Sequence, residues 1–388
     1  MSLGAWQTDA RKEFCHPVNV QILKKLIYIL PFLLILSSCM DDDVLRDFER
    51  LNANHTERGV FVVNEGNFMY ENASLSYYNI NDNIFENNVF YRTNALPLGD
   101  VAQSMTIRDS LGYIVINNSG KIYIININTF KYIGKITGFT SPRNIVFISD
   151  EKAYVSDLYS KCLYIVNLKT RQIAGSVDLS ATGSVYAHTS ESMVVSGDKL
   201  FVSSWNFDDK ILVVNTINDE ITDTLDVTLQ PNSMVIDKNN KLWVLCDGGN
   251  ETSPVGYENP TLIRINPETL EIEKTLTFDD INGSPTDLCM TAGKDTLYFI
   301  FSNWGGTAIE GSGVYRMAVT SEVLPSSPVI PENGKLFYSM GIDPINSDIY
   351  VGDASNYSSN GRVLRFRHDC ILIYEFEAGI APGGFCFK

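Results

Sequence analysis

Short apolar runs and polar turns alternate along most of the chain. Residues 231–278 show the pattern most clearly, with four runs rich in apolar and β-branched residues at 231–236, 242–246, 261–266 and 272–278. Asn, Asp, Gly and Pro separate the runs. Such a pattern predicts four short antiparallel strands joined by tight turns.

The same unit recurs along the chain. The third run of each unit ends in asparagine, and these residues are Asn79, Asn126, Asn167, Asn215 and Asn266. Successive members are 47, 41, 48 and 51 residues apart. A four-stranded unit with that period is typical of a β-propeller blade.

Seven blades account for the chain after residue 58. Six complete units are predicted over residues 101–138, 142–179, 188–227, 231–278, 285–329 and 336–377. The first unit shows only three strands, predicted over 60–64, 75–79 and 84–91. Residues 382–387 repeat the pattern that opens the units at 142 and 231, so we expect this C-terminal strand to complete the first blade. The predicted fold over residues 58–388 is therefore all-β, a seven-bladed β-propeller closed by its two ends.

The N-terminal region has the pattern of a secretion signal. Lys24 and Lys25 precede eleven mostly apolar residues, 26–36, which are too few to span a bilayer comfortably. Residues 36–39 resemble the bacterial lipobox, which implies cleavage after residue 38 and lipidation of Cys39. An ordinary signal peptide with an incidental cysteine is the alternative. The length before residue 24 suggests a true translation start near Val18 or Val20.

Residues 39–57 are predicted to be a lipid-anchored acidic tether. Asp41, Asp42 and Asp43 follow Cys39 and resemble the export signal that sends some lipoproteins to the outer face of the outer membrane. The same run would also serve as a solvated linker. The predicted location is the cell surface, with contact to the membrane through the anchor only.

Charge and cysteine content exclude some classes of function. The formal net charge of −16 argues against nucleic acid as a partner, since phosphate binding requires a basic face. The seven cysteines show no CxxC or metal-binding spacing. Buried free thiols are expected for the five in the propeller, with a single fortuitous disulfide as the alternative. These five are Cys162, Cys246, Cys289, Cys370 and Cys386.

A ligand site is predicted where loops from all blades meet. In a propeller, the loops that follow the second strand of each blade (exit loops) and those that precede the first strand (lead-in loops) share one face around the central channel. The exit loops offer amides, carboxylates and aromatic rings. The side chains expected to contact a ligand are Asn64, Glu65, Asn67, Phe68, Asn118, Arg143, Tyr159, Trp205, Asn206, Asp247, Asn303, Trp304, Asp353, Asn356 and Tyr357.

This set of side chains suits a large, mostly neutral ligand. Aromatic rings supply stacking area, and amides and hydroxyls form hydrogen bonds with amide or sugar groups. Tight turns alone also explain Asn, Asp and Gly at these positions, and blade packing also explains the large aromatics. Trp243 differs because it lies within a strand, where packing in the core is expected.

Metal binding and catalysis are the weaker hypotheses. His16, His55 and His368 share no zinc-like spacing, and His188 stands alone, so no metal or other cofactor is predicted. Carboxylates of the exit and lead-in loops could support acid–base chemistry or calcium binding; they are Glu65, Asp100, Asp157, Asp247 and Asp353. No nucleophile elbow, HExxH, P-loop or Rossmann pattern is present, and the chain is not expected to be an enzyme.

Several segments resemble the YncE-like surface propeller lipoproteins. These segments are residues 64–68, 98–105, 117–122 and 378–385, and the resemblance extends over residues 59–388. It implies an extracellular capture protein that passes a nutrient to a TonB-dependent outer-membrane transporter. Members of the BtuG type bind vitamin B12, which makes a cobamide the leading candidate ligand and a glycan the other. A structural surface-layer or adhesion protein without a small ligand remains the main alternative, with a propeller hydrolase or lyase less favoured.

Overall fold

Seven four-stranded antiparallel sheets form the propeller, and in each sheet the strands lie side by side from the channel to the rim. The computed structural model describes residues 54–180, 189–303 and 311–388. Six sheets contain four strands that are consecutive in sequence, and one combines the two ends of the chain. The predicted all-β, seven-bladed fold is confirmed.

Blades 1 to 4 are described first, from the innermost to the outermost strand. They comprise β28 (Pro382–Phe387), β1 (Gly59–Asn64), β2 (Ser74–Asn79) and β3 (Ile84–Glu86); β4 (Ala102–Arg108), β5 (Leu111–Ile116), β6 (Lys121–Asn126) and β7 (Tyr132–Thr137); β8 (Pro142–Phe147), β9 (Lys152–Asp157), β10 (Cys162–Asn167) and β11 (Gln172–Asp178); and β12 (Met193–Ser196), β13 (Lys199–Ser204), β14 (Lys210–Asn215) and β15 (Glu220–Asp226).

Blades 5 to 7 follow in the same order. They comprise β16 (Pro231–Ile236), β17 (Leu242–Cys246), β18 (Thr261–Ile265) and β19 (Ile272–Thr277); β20 (Gly283–Met290), β21 (Thr296–Asn303), β22 (Gly313–Ala318) and β23 (Ile330–Pro331); and β24 (Phe337–Ile342), β25 (Ile349–Asp353), β26 (Asn360–Phe366) and β27 (Leu372–Ile380). The outer strand of blade 6 therefore lies just beyond its predicted end at residue 329.

The ring closes as predicted, because β28 pairs antiparallel with β1. Val60 lies opposite Phe387, and Val62 lies opposite Phe385. Backbone hydrogen bonds extend the pairing at both ends, from Lys388 N to Gly59 O at 2.9 Å and from Glu65 N to Ala381 O at 2.9 Å. Neither strand is left with an unpaired edge towards the channel.

Blade 1 differs from its predicted third strand over residues 84–91. The strand β3 ends at Glu86, and a short helix, α1 (Val89–Asn94), follows it. Asn88 adopts a left-handed conformation (φ 57°), which turns the chain into the helix. The turn buries Val89 and Phe90 in the core between blades 1 and 2, where an extended strand would have exposed one of them.

The core consists of layers between successive blades. Second strands are buried on both faces, since each is covered by a neighbouring blade on either side, whereas outer strands alternate between buried and exposed positions. Trp243 is fully buried between blades 5 and 6 against Phe299, and its indole N–H donates to Asp237 Oδ2 at 3.0 Å. The predicted packing role of Trp243 is confirmed.

The five cysteines of the described residues are unpaired. Cys246 and Cys386 are buried, while the remaining three are partly exposed. The prediction of free thiols is confirmed, although burial is complete for only two of them.

The recurrent asparagines close the turns after the third strands. In each case the side-chain carbonyl accepts hydrogen bonds from backbone N–H groups two and three residues further on, as Asn126 Oδ1 does from Asn128 N (2.9 Å) and Thr129 N (3.0 Å). The same arrangement occurs at Asn79, Asn167, Asn215 and Asn266. The period seen in the sequence is thus the period of one turn type.

Ring closure requires a close backbone approach at Gly352. A Cβ atom at this position of β25 would lie 2.3 Å from the carbonyl oxygen of Pro382 in β28. We expect Gly352→Ala to lower the free energy of unfolding by about 1–3 kcal/mol, because the closing strand must move away. Urea denaturation measures the change.

Gly175 in the outer strand β11 is the matched control. A Cβ atom there would meet only Ile165 Cδ1, at 3.7 Å. Gly175→Ala should change stability by less than about 0.5 kcal/mol. Equal losses in both variants would contradict the proposed strain at the closure.

Candidate functional site

A cavity of about 400 Å³ lies at the end of the central channel where exit and lead-in loops meet. All seven blades contribute to it. Its lining residues are Glu65, Gln103, Arg143, Glu191, Trp205, Asn232, Ser233, Asp247, Ser284, Thr286, Asp287, Ser302, Asn303, Leu336, Phe337, Tyr338, Tyr357 and Gly383. The volume is within the range of small-molecule sites.

The innermost strands make this end of the channel polar. Their second residues include Gln103, Arg143 and Asn232, which line the cavity, whereas residues further along the same strands are apolar. At the opposite mouth of the channel, a cavity of about 370 Å³ is lined mainly by apolar side chains such as Val194 and Ile236. The two ends of the channel therefore differ in the ligands that they can accept.

An ionic network occupies one side of the polar cavity. Arg143 Nε lies 2.9 and 2.7 Å from the two carboxylate oxygens of Glu191, and the Arg143 guanidinium also donates to Gln103. Tyr338 donates to Glu65 Oε2 at 2.8 Å. Burial raises the pKa of Glu65 and of Glu191, while the charge of Arg143 opposes both shifts.

Asp247 is held on the other side by uncharged donors. Its Oδ2 accepts from the Trp205 indole N–H at 2.8 Å and from the Asn232 amide at 3.4 Å, and its Oδ1 accepts from Gly249 N at 3.0 Å. Burial raises the pKa of Asp247 to about 6, although these hydrogen bonds favour the charged form. The carboxylate fixes the orientation of the Trp205 ring at the cavity wall.

Asp287 lies at a β-bulge of the innermost strand of blade 6. The register between β20 and β21 shifts between Thr286 and Cys289, and Asp287 has a left-handed backbone (φ 54°). Bulges and such conformations redirect side chains and are frequent at functional sites. Burial raises the pKa of Asp287 to about 7; the nearby Glu65 adds to the shift, and a hydrogen bond from Thr286 opposes it.

Six of the residues predicted from the sequence are brought together here. They are Glu65, Arg143, Trp205, Asp247, Asn303 and Tyr357. Tyr338, from a lead-in loop, packs edge-on against Tyr357 with ring centroids 5.3 Å apart. The exit and lead-in loops thus share one opening.

Three predicted site residues make structural contacts instead. Asn64 is fully buried and links blades 1 and 7, since its amide donates to Ser76 Oγ (2.9 Å) and its carbonyl accepts from Gly379 N (3.1 Å). Asp353 accepts from Leu336 N and Ser355 N and so ties an exit loop to a lead-in loop. Asn356 caps its own turn through Ser358 N and Ser359 N. For these residues, turn and blade geometry account for the side chain.

The remaining predicted residues lie outside the cavity lining. Asn67 contacts the Tyr357 carbonyl, Asn118 donates to Asp100, and Phe68 and Tyr159 are 64% and 66% exposed. Asn206 is partly exposed in the loop after β13. The calls at Trp304, His188 and Cys39 fall outside the described residues, and for Trp304 and Cys39 the roles given above remain predictions.

Sequence reasoning missed the lining residues that lie on the innermost strands themselves. These are Gln103, Glu191, Ser233, Thr286, Asp287 and Gly383, with Ser302, Leu336 and Phe337 near the strand ends. The available signal was the polar residue at the second or third position of each innermost strand, where an apolar one would suit the core. Attention to loops alone overlooked it.

Comparison with known proteins agrees with this class, a closed seven-bladed propeller with a polar cavity at one end of its channel. Residues 58–378 match the family described as "Domain of unknown function (DUF5074)", and the chain belongs to that family. No curated protein matches the chain.

Solved structures share the fold at low sequence identity. A quinonprotein alcohol dehydrogenase-like protein of Bacteroides thetaiotaomicron is 11% identical with a TM-score of 0.63, covering 87% of this chain and 79% of that one. A proposed 6-phosphogluconolactonase of Bacteroides uniformis is 14% identical with a TM-score of 0.63, covering 86% and 99%. A protein of Lactobacillus plantarum is 11% identical with a TM-score of 0.63, covering 86% and 100%. At these identities the likeness concerns the fold alone.

Two searches of the described residues returned nothing. Over residues 54–180, 189–303 and 311–388, no three or more His, Cys, Asp or Glu side chains are arranged to hold a metal ion. In the same ranges, no helix is long and apolar enough to cross a membrane.

The raised pKa of Asp287 predicts a pH-dependent stability. Because the folded-state pKa (about 7) exceeds the ordinary value of 3.8, this carboxyl favours the folded state most at pH below about 4, and the contribution is lost as the pH rises through 7. Asp287→Asn, which keeps the side-chain shape and tolerates the left-handed backbone, should therefore raise the free energy of unfolding by about 2–4 kcal/mol at alkaline pH.

Chemical denaturation of both proteins from acid to alkaline pH measures this effect. The gain should vanish in acid, where Asp287 of the wild type is itself uncharged. A gain that does not depend on pH would show that the charge of Asp287 is not its cause.

Proposed function

We propose that this protein is a cell-surface lipoprotein that captures a small polar ligand in the channel cavity and presents it to a TonB-dependent outer-membrane transporter. The observation that carries the proposal is the cavity itself. Polar groups from seven blades converge on a space of about 400 Å³, and the partly exposed rings of Trp205 and Tyr357 stand at its wall. A rigid ring that orders such groups before binding lowers the entropic cost of association.

The direction of the chain supports capture at a membrane surface. Strand β1 begins at Gly59, at the end of the ring opposite the cavity, and reaches the cavity at Asn64 and Glu65. A tether that precedes residue 54 therefore joins the propeller at the far end. With lipid on Cys39, the cavity would open away from the anchoring membrane, where a diffusing nutrient is accessible.

Two ligand classes suit the polar lining. A cobamide carries a fringe of amides, and an oligosaccharide carries hydroxyls; Asn232, Ser233 and Asn303 could form hydrogen bonds with either. A corrin ring system is larger than the cavity, so a cobamide would rest across the mouth and insert only a side group. A sugar unit would enter the cavity.

Calorimetric titration of the purified protein with cobalamin and a panel of glycans tests the proposal. Saturable binding of one compound without turnover is the expected result. Turnover would favour an enzyme, and failure of every compound would favour a structural surface-layer or adhesion protein. Co-purification with an outer-membrane transporter tests the partner separately.

Trp205→Ala should weaken binding by about 1–3 kcal/mol, because the ring and the orientation of Asp247 are both lost. Tyr132→Ala is the control, since Tyr132 is 39% exposed on the outer strand β7, remote from the channel. Unchanged affinity in Trp205→Ala would refute this cavity as the binding site while leaving the fold intact.

A further inference from the structure

The cavity lining carries an excess of negative charge. Its carboxylates belong to Glu65, Glu191, Asp247 and Asp287, and Arg143 is its only basic residue among the described ones. A buried carboxylate without a cation nearby costs free energy. The arrangement of these groups shows where the missing positive charge belongs.

Arg143 serves only one side of the cavity. Both carboxylate oxygens of Glu191 contact its Nε, and Gln103 takes another of its N–H groups. Among the ion pairs of the described residues, none includes Asp247 or Asp287. The side of the cavity formed by blades 5 and 6 is therefore acidic and without a counter-charge.

Blade 6 departs from the other blades at the position of Asp287. The third residues of the other six innermost strands are uncharged, namely Gly384, Ser104, Asn144, Ser192, Ser233 and Ser339. Only blade 6 places a carboxylate there, and it does so at a bulge with a left-handed aspartate. Since a serine in regular register would satisfy the fold, the bulged aspartate is explained better by a ligand than by packing.

Aromatic rings flank this acidic side. Trp205 is oriented by the hydrogen bond from its indole N–H to Asp247, and Tyr357 is 42% exposed beside Tyr338. Ring faces next to carboxylates are the usual means of recognising ammonium groups, since both attract positive charge.

We propose that the ligand of this cavity presents a cationic amine, which Asp247 and Asp287 neutralise and the rings of Trp205 and Tyr357 enclose. The inference rests on the proposed capture function and specifies the chemical class of its ligand. The ammonium group can belong to an amino sugar or to a quaternary amine, and both sources share the same recognition chemistry.

The elevated pKa values of Asp247 (about 6) and Asp287 (about 7) agree with this assignment. An arriving cation stabilises both carboxylates in the charged form, so binding should release protons and weaken as the pH falls through 7 and 6. The other charged groups that face them across the cavity are Glu65, Glu191 and Arg143, and the phenol of Tyr338 lies with them.

The test compares each cation with its uncharged isostere on the full chain in mild detergent. Choline is paired with 3,3-dimethylbutanol, and glucosamine with glucose, at equal ionic strength. We expect at least one cation to bind about tenfold or more tightly than its neutral partner by calorimetry. The preference should decrease at acidic pH, and the pair that shows it identifies the source of the amine.

Asp287→Asn should abolish the preference, because it removes the charge while keeping shape and backbone. Asp109→Asn is a matched control, since Asp109 is also a left-handed aspartate (φ 54°) but is exposed in the turn between β4 and β5, at the opposite end of the channel. It should leave the preference unchanged.

Absence of any preference for the cations in the wild type would overturn the inference, as would a preference that survives Asp287→Asn. If cobalamin or a glycan still bound and responded to Trp205→Ala, the capture function would stand without it. If no compound of either panel bound, both proposals would fall.

Discussion

The pairing of β28 with β1 is the contact on which the rest of the structure depends. It joins residues that are more than 300 positions apart and converts a row of sheets into a ring. Without it, blade 1 would lack its innermost strand and would present an unpaired edge to the channel. The cavity also depends on it, because Glu65 and Gly383 come from the two strands that this pairing brings together.

A ring of similar blades can still produce a site that is chemically uneven. Each blade supplies the same backbone positions to the channel, so the side chains at those positions decide its polarity and charge. One side carries Arg143 and its carboxylate partner Glu191, and the other carries Asp247 and Asp287 with uncharged donors. Repetition builds the frame, and deviations from the repeat build the site.

Much of the polar character of the loops is structural. Asp157 accepts hydrogen bonds from Ser141 N and Ser160 N, and so connects the lead-in and exit loops of one blade. Asp353 acts in the same way in blade 7. Asp247 retains only part of this role, since its Oδ2 faces Trp205 and the cavity. Residue type therefore does not separate a turn aspartate from a binding one, whereas the partners of its oxygens do.

The amino-acid sequence by itself determined the blades, their number and the joining of the chain ends. Those features follow from local patterns, namely the alternation of apolar runs, the periodic turn asparagines and the return of the blade-opening pattern at residue 382. It also indicated the face on which loops would meet, and six lining residues. Only the tertiary structure decided which polar residues face the cavity, because Asn64 and Asp353 are turned into blade contacts while Glu191 and Asp287 point to the channel. Burial, the bulge at Asp287 and the missing counter-charge arise from residues far apart in sequence, and no local pattern records them.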